Sequence, residues 1–591
     1  MDIRSNKQQF NNYFNKPISP QENTQKTYVG ANPAFKGKLG SVNGFFKFLA
    51  DEPVWGATII DLVSMVFPRT WIDMKHRGFN AGFETGFREG ESSANDAMVG
   101  LYGVMAGTLI AGAINKKYNV KAHTIFASDD ATSVFSSKWQ KHKGNIDNYA
   151  RDIVENITAF NPNSSQADSK GYVKIADEHK QGIIDELKYI ADGDRGKMPE
   201  RWNAAKERLS AKLLEATGVE NQFKLIHKEG AIEKTTVSTS KTLMENFYHM
   251  TKALKSDKVN GKVPEFISAY SKFAKSRTGI GIAVAAFFAL IAQPLNVYLS
   301  KKRTGSDGFV GVEGRQKDNS TKFKLIKLAS AIGMIGITLG TMGALSKNPL
   351  KIPKLFLEKN QYKGKNPTIN HFKTVFGIAI ASRLLTTRDI DEHREVMTKD
   401  VLGFFNWLIL GTVVNKLILN KFQAKGANLL KFQPPGSNNG FIYKHAGKAG
   451  RKFIDLLNSS IATHSEVITA GLKKECPEIK SIVKPDGKVM KFSEMLEKLP
   501  KNSATRKNIK LLNIAQFGGY LYSALVLGIA IPKLNIYMTN KSEKKRKAKL
   551  AELQQKQPSI NQNPNSMKTI NNQIDKTIFR QFKYDTAAQR A

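Results

Sequence analysis

Five long apolar runs interrupt an otherwise polar and basic chain, and they predict its architecture. The clearest run, Thr278–Ser300, contains no charged residue and lies between Arg277 and Lys301. A helix rises about 1.5 Å per residue, so such a run can cross a hydrocarbon core of roughly 30 Å. The other four predicted spans are Ala97–Asn115, Leu328–Ser346, Val401–Leu419 and Leu511–Pro532. We therefore expect an all-α fold, a multi-pass α-helical membrane protein with five or six spans.

Two weaker runs leave the span count open. Val54–Phe67 is short and carries Asp61 near its middle, which suits an interfacial or re-entrant helix better than a span. In Asn370–Leu385, Lys373 and Arg383 bracket nine uncharged residues. Charges at membrane depth are functional candidates by default, so Asp61 and Arg383 are possible intramembrane charges. The alternative for the cations is snorkelling toward an interface.

Two segments end in a similar way, with a proline, an asparagine and a tyrosine before a group of cations. We expect each proline to bend or end its helix and each tyrosine to lie in the headgroup region. Duplication and independent adaptation to one interface both explain the match. If both ends lie on one side of the membrane, Asn370–Leu385 must also cross. The matching residues, all predicted to be interfacial, are Pro294, Asn296 and Tyr298, and Pro532, Asn535 and Tyr537.

Glycines recur at helical spacing in several segments, most regularly in Arg77–Gly90. Four glycines at one spacing need an explanation, because each costs up to about 1 kcal/mol in a helix. Close packing of another helix on a small-residue stripe supplies one, and a flexible loop is the alternative for the first segment. The predicted helix-packing positions are Gly78, Gly82, Gly86, Gly90, Gly100, Gly107, Gly333, Gly336 and Gly340.

The polar stretches between the runs predict the domain organisation. Polar ends of low hydrophobicity predict disorder. The long region 116–277 shows helical periodicity and no evident strand alternation, so it is expected to be a helical insertion. No apolar segment near the start predicts a cleavable signal peptide. The expected parts are a disordered segment 1–50, a Gly/Phe-rich region and first span 51–115, the insertion 116–277, membrane helices 278–419, a basic insertion 420–510, a last span 511–540 and a basic, partly disordered tail 541–591.

The formal net charge of +39 bears on partners. The cations concentrate between and after apolar runs, which favours anionic lipid headgroups, with nucleic acid an improbable partner. Other membrane proteins or a second copy of the chain are further candidate partners. Lys and Asn are abundant, which suggests a bacterial inner or plasma membrane protein.

Candidate chemistry is sparse. No HExxH, GxSxG or P-loop motif is present, so an enzyme is not favoured and we expect no cofactor. The segment Arg388–Glu395 holds the densest group of potential metal ligands, of which Asp389 and His393 could share a helix face. Its interleaved arginines are more typical of solvated salt bridges.

Three hypotheses about function follow. The preferred one is a structural or complex-organising membrane protein that acts through small-residue helix packing. The alternative is a secondary transporter or channel for a small solute, which the short segment at 54–67 and the repeated ending favour. A soluble nucleic-acid binder is the least consistent with the uncharged runs.

Overall fold

The computed structural model describes residues 38–51, 53–193, 195, 198–229, 232–312, 314–406, 410–424, 426–434 and 441–556. The chain divides into two compact units, Met1–Val42 and Asn43–Ala591, and all contacts below belong to the second. The predicted disorder of residues 1–37 and 557–591 lies outside the described residues. Residues 38–50, which belong to the segment expected to be disordered, and residues 541–556, which belong to the tail expected to be partly disordered, are helical.

The chain from Lys38 to Tyr118 is almost entirely helical. Gly78 separates the third and fourth helices with a φ of 88°, a backbone conformation that side chains with a Cβ rarely adopt. The helices are α1 (Lys38–Asp51), α2 (Pro53–Asp61), a π-helical segment (Leu62–Val66), α3 (Phe67–Arg77), α4 (Phe79–Ile110) and α5 (Gly112–Tyr118).

The first insertion contains a sheet that the sequence analysis missed. Its four strands are antiparallel in the order β2-β1-β3-β4, with Ile157 opposite Leu225 and Phe223 opposite Ser238. One apolar core unites the sheet with the surrounding helices. The elements, after a 3-10 turn at Ala122–Thr124, are α6 (Asp129–Lys141), α7 (Ile146–Glu155), β1 (Ile157–Phe160), β2 (Tyr172–Lys174), α8 (Asp177–Asp192), α9 (Pro199–Thr217), β3 (Phe223–Glu229), β4 (Ile232–Ser238) and α10 (Ser240–Leu254).

A group of long helices follows and forms most of the bundle. Helix α14 is its interior member, packed between α11, α12 and α4. The elements are α11 (Val263–Thr304), α12 (Thr321–Met342), a 3-10 turn (Pro349–Lys351), α13 (Ile352–Lys359), α14 (Ile369–Thr386), α15 (Ile390–Val396), a π-helical segment (Met397–Val401), α16 (Leu402–Phe405) and α17 (Gly411–Gln423).

The second insertion packs against the first. Ala211 and Leu214 of α9 share an apolar core with Ile468 and Leu472, so the two insertions lie at the same end of the bundle. The remaining elements are β5 (Leu430–Lys431), α18 (Phe441–His445), α19 (Lys448–Asn458), β6 (Ser460–Ile461), α20 (His464–Glu475), α21 (Phe492–Lys498), α22 (Ala504–Ser523), a π-helical segment (Ala524–Ala530) and α23 (Ile531–Lys556).

Among the described residues, three helices are long and apolar enough to cross a membrane, and a bent pair adds a fourth candidate. The three are Val263–Thr304, Thr321–Met342 and Ala504–Leu553, and α4 with α5 forms the pair, bent by 56°. Only 39%, 22% and 28% of their most apolar windows is buried within the protein. Most of each window therefore faces outward, and large apolar side chains such as Phe287, Ile332 and Phe517 are exposed.

The bundle has two distinct ends. Helix α11 begins in the core of the first insertion, where Phe266 and Tyr270 are buried, and its other end carries the buried Asn296 and Ser300. Asn296 contacts Glu84 near the start of α4, which runs back to the insertion at Ala111. We call these the insertion end and the charged end.

Candidate functional site: a buried ion-pair cluster

The charged end of the bundle contains an unusual concentration of buried charge, which we call the ion-pair cluster. It forms where α3 and α4 meet the segment 388–401, the loop after α11 and helix α23. Its residues come from segments hundreds of positions apart in the chain. The members are Arg69, Arg77, Glu84, Glu89, Arg315, Arg383, Arg388, Asp391, Glu392, Arg394, Glu395, Lys399, Asp400 and Glu543.

Arg388 lies at the centre of the cluster and is 1% exposed. Its guanidinium donates to both carboxylate oxygens of Glu84, at 3.2 and 2.5 Å, and to both of Glu392, at 3.0 and 2.8 Å. Burial would lower the pKa of Arg388, but the two carboxylates outweigh that effect and raise it. Bidentate pairs of this kind fix geometry as well as charge, so Arg388 ties α4 to α15.

Glu89 is the second centre, deeper in the bundle. Lys399 Nζ lies 3.0 Å from one of its oxygens, and Arg69 Nη1 lies 3.1 Å from the other. Arg383 lies 3.7 Å away and pairs more closely, at 3.1 Å, with Asp400. Every carboxylate in this part of the cluster therefore has a cation within 4 Å, as buried charges require.

The loop after α11 folds back into the cluster and brings Arg315 with it. Arg315 Nε donates to Glu543 of α23 at 2.7 Å, and its guanidinium also pairs with Asp391. Burial would lower the pKa of Arg315, but Asp389, Asp391 and Glu543 together raise it. The salt bridges expected to be solvated in Arg388–Glu395 are instead largely buried.

The two similar helix endings have the same environment. Asn296 Nδ2 donates to the carbonyl of Glu84 at 3.0 Å, and Asn535 Nδ2 donates to the carbonyl of Glu395 at 3.2 Å. Both asparagines are 2% exposed and therefore lie inside the bundle, unlike the exposed tyrosines Tyr298 and Tyr537.

The two prolines of these endings lie within their helices. Pro294 lies inside α11, which continues to Thr304, and Pro532 lies within the continuous helix Ala504–Leu553. Neither proline ends its helix. Both helix endings nevertheless reach the same cluster, so they lie at the same end of the bundle.

The predicted metal candidates have other partners. His393 Nε2 is 3.0 Å from Ser330 Oγ, and its Nδ1 is 3.0 Å from Thr387 Oγ1. Asp389 caps α15 by accepting from the backbone N–H of Glu392 at 2.8 Å. Across the described ranges, no group of three or more His, Cys, Asp or Glu side chains is arranged to hold a metal ion.

The predicted glycines fall into two groups. A Cβ at Gly82 would lie 2.6 Å from Met74 Cβ, and one at Gly86 would lie 3.1 Å from Thr70 Oγ1, so α3 packs closely on both. Gly100 and Gly107 face Pro367 and the side chain of Arg277 at similarly short distances. Added Cβ atoms would meet nothing within 4 Å at Gly78, Gly90, Gly333 and Gly336, and only Leu345 at Gly340.

Comparison with family models, with curated proteins and with solved structures finds no match for this chain. The cluster therefore has to be interpreted from its own geometry. The sequence pattern predicted Arg383 and the segment 388–395 as candidates, but not Glu84, Glu89 and Arg315. These three are charged residues near the ends of apolar runs, and this pattern becomes informative only once the fold brings those ends together.

Proposed function

We propose that this chain is an integral membrane protein with a structural, complex-organising role. The observation that carries the proposal is the outward-facing apolar surface of α11, α12 and α22. Monomeric soluble proteins rarely expose apolar patches larger than a few hundred Å², whereas hydrocarbon accepts such a surface without cost.

Six long segments are proposed to cross the bilayer, each connecting the insertion end with the charged end. The shorter stretch from α2 to α3 also reaches from one end to the other, because Asn43 just before it contacts Asn513 and Arg77 at its end pairs with Glu395. Helix α14 is not one of the three apolar helices above, but it lies inside the bundle, with Arg383 in the cluster. The crossing segments are α4, α11, α12, α14, α16 with α17, and α22 with α23. The bilayer, with anionic headgroups attracted by the cations that follow α11 and those in α23, would be the immediate partner.

The ion-pair cluster favours a structural role over solute transport. Two cavities inside the described part of the bundle are small: one bounded by Arg77, Glu84 and Glu392 and one beside Asp61 each measure about 20 Å³. A cavity of that size holds about one water. A transporter would need room for its solute near the middle of the bundle.

Extraction separates a membrane protein from a peripheral one. We expect the full chain to stay in the membrane pellet after washing with alkaline carbonate and to dissolve only in detergent. Release by carbonate would contradict the proposal. A transport role would regain support if liposomes holding the purified protein moved a solute and Asp61→Asn abolished that flux.

Labelling of single cysteines tests the crossing pattern. Cys476 is the only cysteine, so Cys476→Ser provides a cysteine-free background. Exposed positions at the charged end, Ser306 and Lys544, should react with an impermeant maleimide from one side of the membrane. Exposed positions at the insertion end, Ser169 and Lys347, should react from the other. Reaction of both pairs from one side would overturn the crossing pattern while leaving membrane association intact.

A further inference from the structure

A group of acidic side chains near the middle of the bundle lacks the cations that surround the ion-pair cluster. Asp61 lies at the end of α2, and Glu91 and Asp96 lie on α4. We call these three the acid group. A cavity of about 20 Å³ separates Asp61, Ser93 and Asp96 from Phe372 and Phe376 of α14, which is room for about one water.

Contacts between α4 and α11 give the depth of the acid group. Asn95 Nδ2 donates to the carbonyl of Ala285 at 3.0 Å, and Asn296 donates to Glu84 at 3.0 Å. Glu91 lies on α4 between these two contacts, and Asp96 lies next to Asn95. The facing part of α11 is the middle of the uncharged run Thr278–Ser300, so the acid group lies far from both ends of that run.

Several oxygen atoms of the acid group are enclosed and have no hydrogen-bond partner among the described residues. They are Oδ1 of Asp61, both carboxylate oxygens of Glu91 and Oδ1 of Asp96. The other oxygen of Asp61 accepts a hydrogen bond from Ser93. Within 4 Å, no described cation forms an ion pair with any of the three, whereas Glu89 has four such cations.

A buried amide faces the same group. Gln293 of α11 is 3% exposed, and its side chain lies against the Glu91 carboxylate without a hydrogen bond of normal geometry from Nε2. Ionised carboxylates in such surroundings are costly, and a carboxyl group that gains a proton becomes neutral and able to donate. The three acids are too dispersed to share a metal, because the described residues hold no arrangement of three ligands.

We propose that Asp61, Glu91 and Asp96 form a proton-binding site at the middle of the bundle, in which Asp61 and Asp96 exchange their protons through the small cavity that they line. In the reaction, a carboxylate accepts a proton from a hydronium ion: an O–H bond forms on the carboxyl group, an O–H bond of the hydronium breaks, and water is left. The proposal relies on the membrane placement of α4 and α11 proposed above, but not on the structural role.

The charged groups around the acid group would modulate proton binding. Arg383 of α14 is a charged neighbour of all three acids, and Arg69 of α3 is a stronger charged neighbour of Asp61. Glu89 of α4 is a charged neighbour of Asp61 and Glu91. Arg383 is also paired with Glu89 and Asp400, so protonation of the acid group would be felt at the ion-pair cluster.

Infrared spectroscopy tests the proposal directly in the purified full chain. A protonated carboxyl group has a carbonyl stretching band well separated from that of a carboxylate. We expect the protein at neutral pH to show this band, and we expect Asp96→Asn, Glu91→Gln and Asp61→Asn each to remove part of it. Asp389 contributes a band of its own, so each assignment rests on the difference between wild type and variant.

The exposed Asp307→Asn is the matched control and should leave the band unchanged. A protein in which none of the three substitutions changes the band would overturn the proposal. Loss of the band on addition of Na⁺ or Li⁺ would also overturn it, in favour of a cation site. A variant that fails to fold is recognised by its loss of helical circular dichroism, and the two remaining variants then decide. Carbonate extraction reports on membrane placement separately, so the two proposals can fail independently.

Discussion

The first insertion and the bundle distribute polar and apolar residues in opposite ways. In the insertion, Phe135, Tyr149 and Phe247 are fully buried, and ion pairs such as Lys188 with Asp147 are exposed. In the bundle, Arg383 and Arg388 are among the largest fully buried side chains, and phenylalanines lie on the outside. Each region exposes what its surroundings accept, which indicates two different solvents for one chain.

The comparison also shows why the two regions need different stabilising interactions. Apolar association supplies the driving force in water, but helices in lipid gain nothing from burying apolar surface against each other. Packing at small residues and polar contacts must replace it. The close contacts at Gly82 and Gly86 and the ion-pair cluster are of these two kinds.

Removing Arg388 should have the largest effect. Arg388→Met would leave Glu84 and Glu392 buried without their shared cation, which typically costs about 3–5 kcal/mol. We expect a lower unfolding midpoint in detergent, measured by circular dichroism against a denaturing-detergent titration.

The matched control is an exposed pair, Lys301 with Asp307 at 2.9 Å. Asp307→Asn should change stability by about 1 kcal/mol or less, because exposed ion pairs contribute little. The triple variant Glu84→Gln, Arg388→Met and Glu392→Gln should recover much of the loss. Equal effects of the single variant and the control would contradict a structural role for the cluster.

Two glycine substitutions should change stability less than the loss of Arg388 does, and their two effects should be opposite in sign to each other. At Gly82 an added Cβ would lie 2.9 Å from Met74 Cα, so Gly82→Ala should force α3 away and cost about 1–3 kcal/mol. At Gly336 nothing lies within 4 Å, so Gly336→Ala should add helix propensity of up to about 1 kcal/mol. The same detergent unfolding assay measures both. A loss of stability in the Gly336→Ala variant would reveal a partner on that face of α12.

Apolar patterning predicted the bundle well because its signal is local. Thr278–Ser300 lies within α11, and Leu328–Ser346 overlaps α12, as expected from uncharged length alone. The Val401–Leu419 run includes positions outside the described residues, and its described part is helical on both sides of them.

Two errors had identifiable causes. Strand β3 alternates buried Phe223 and Leu225 with more exposed neighbours, a period of two that was present in the sequence but diluted by helical stretches around it. The segment Arg388–Glu395 has the alternating charge of a solvated helix, but Arg388 is buried because Glu84, hundreds of residues away, pairs with it beside the local Glu392. Pairings over such distances are not visible in one sequence.

Acid should weaken the insertion before the bundle through Asp152. Burial would raise the pKa of Asp152, but hydrogen bonds from Lys138 and His142 outweigh it and lower the pKa to about 2. Its contribution, about 2 kcal/mol, is therefore present above the unfolded value of 3.8 and is lost as the pH falls through about 2. Pepsin, which works in this range, should cut near α6 and α7 faster as the pH falls. Pepsin should cut the Asp152→Asn variant at a nearly constant rate over this pH range. If the variant kept the pH dependence of the wild type, the assignment to Asp152 would be contradicted.

The smallest expected effect concerns Asp389 at the edge of the cluster. Its effect on stability changes with pH in the opposite direction to that of Asp152. Burial raises the pKa of Asp389 to about 7, despite the attraction of Arg315. Its contribution is therefore present below the unfolded value of 3.8 and is lost as the pH rises through about 7. Asp389→Asn keeps the cap of α15 and removes the ionisation, so it should stabilise the protein by about 1 kcal/mol at pH 8 and have no effect near pH 4. Detergent unfolding at the two pH values measures the difference. Destabilisation at pH 8 would show that Asp389 is ionised and acts as a full partner of Arg315.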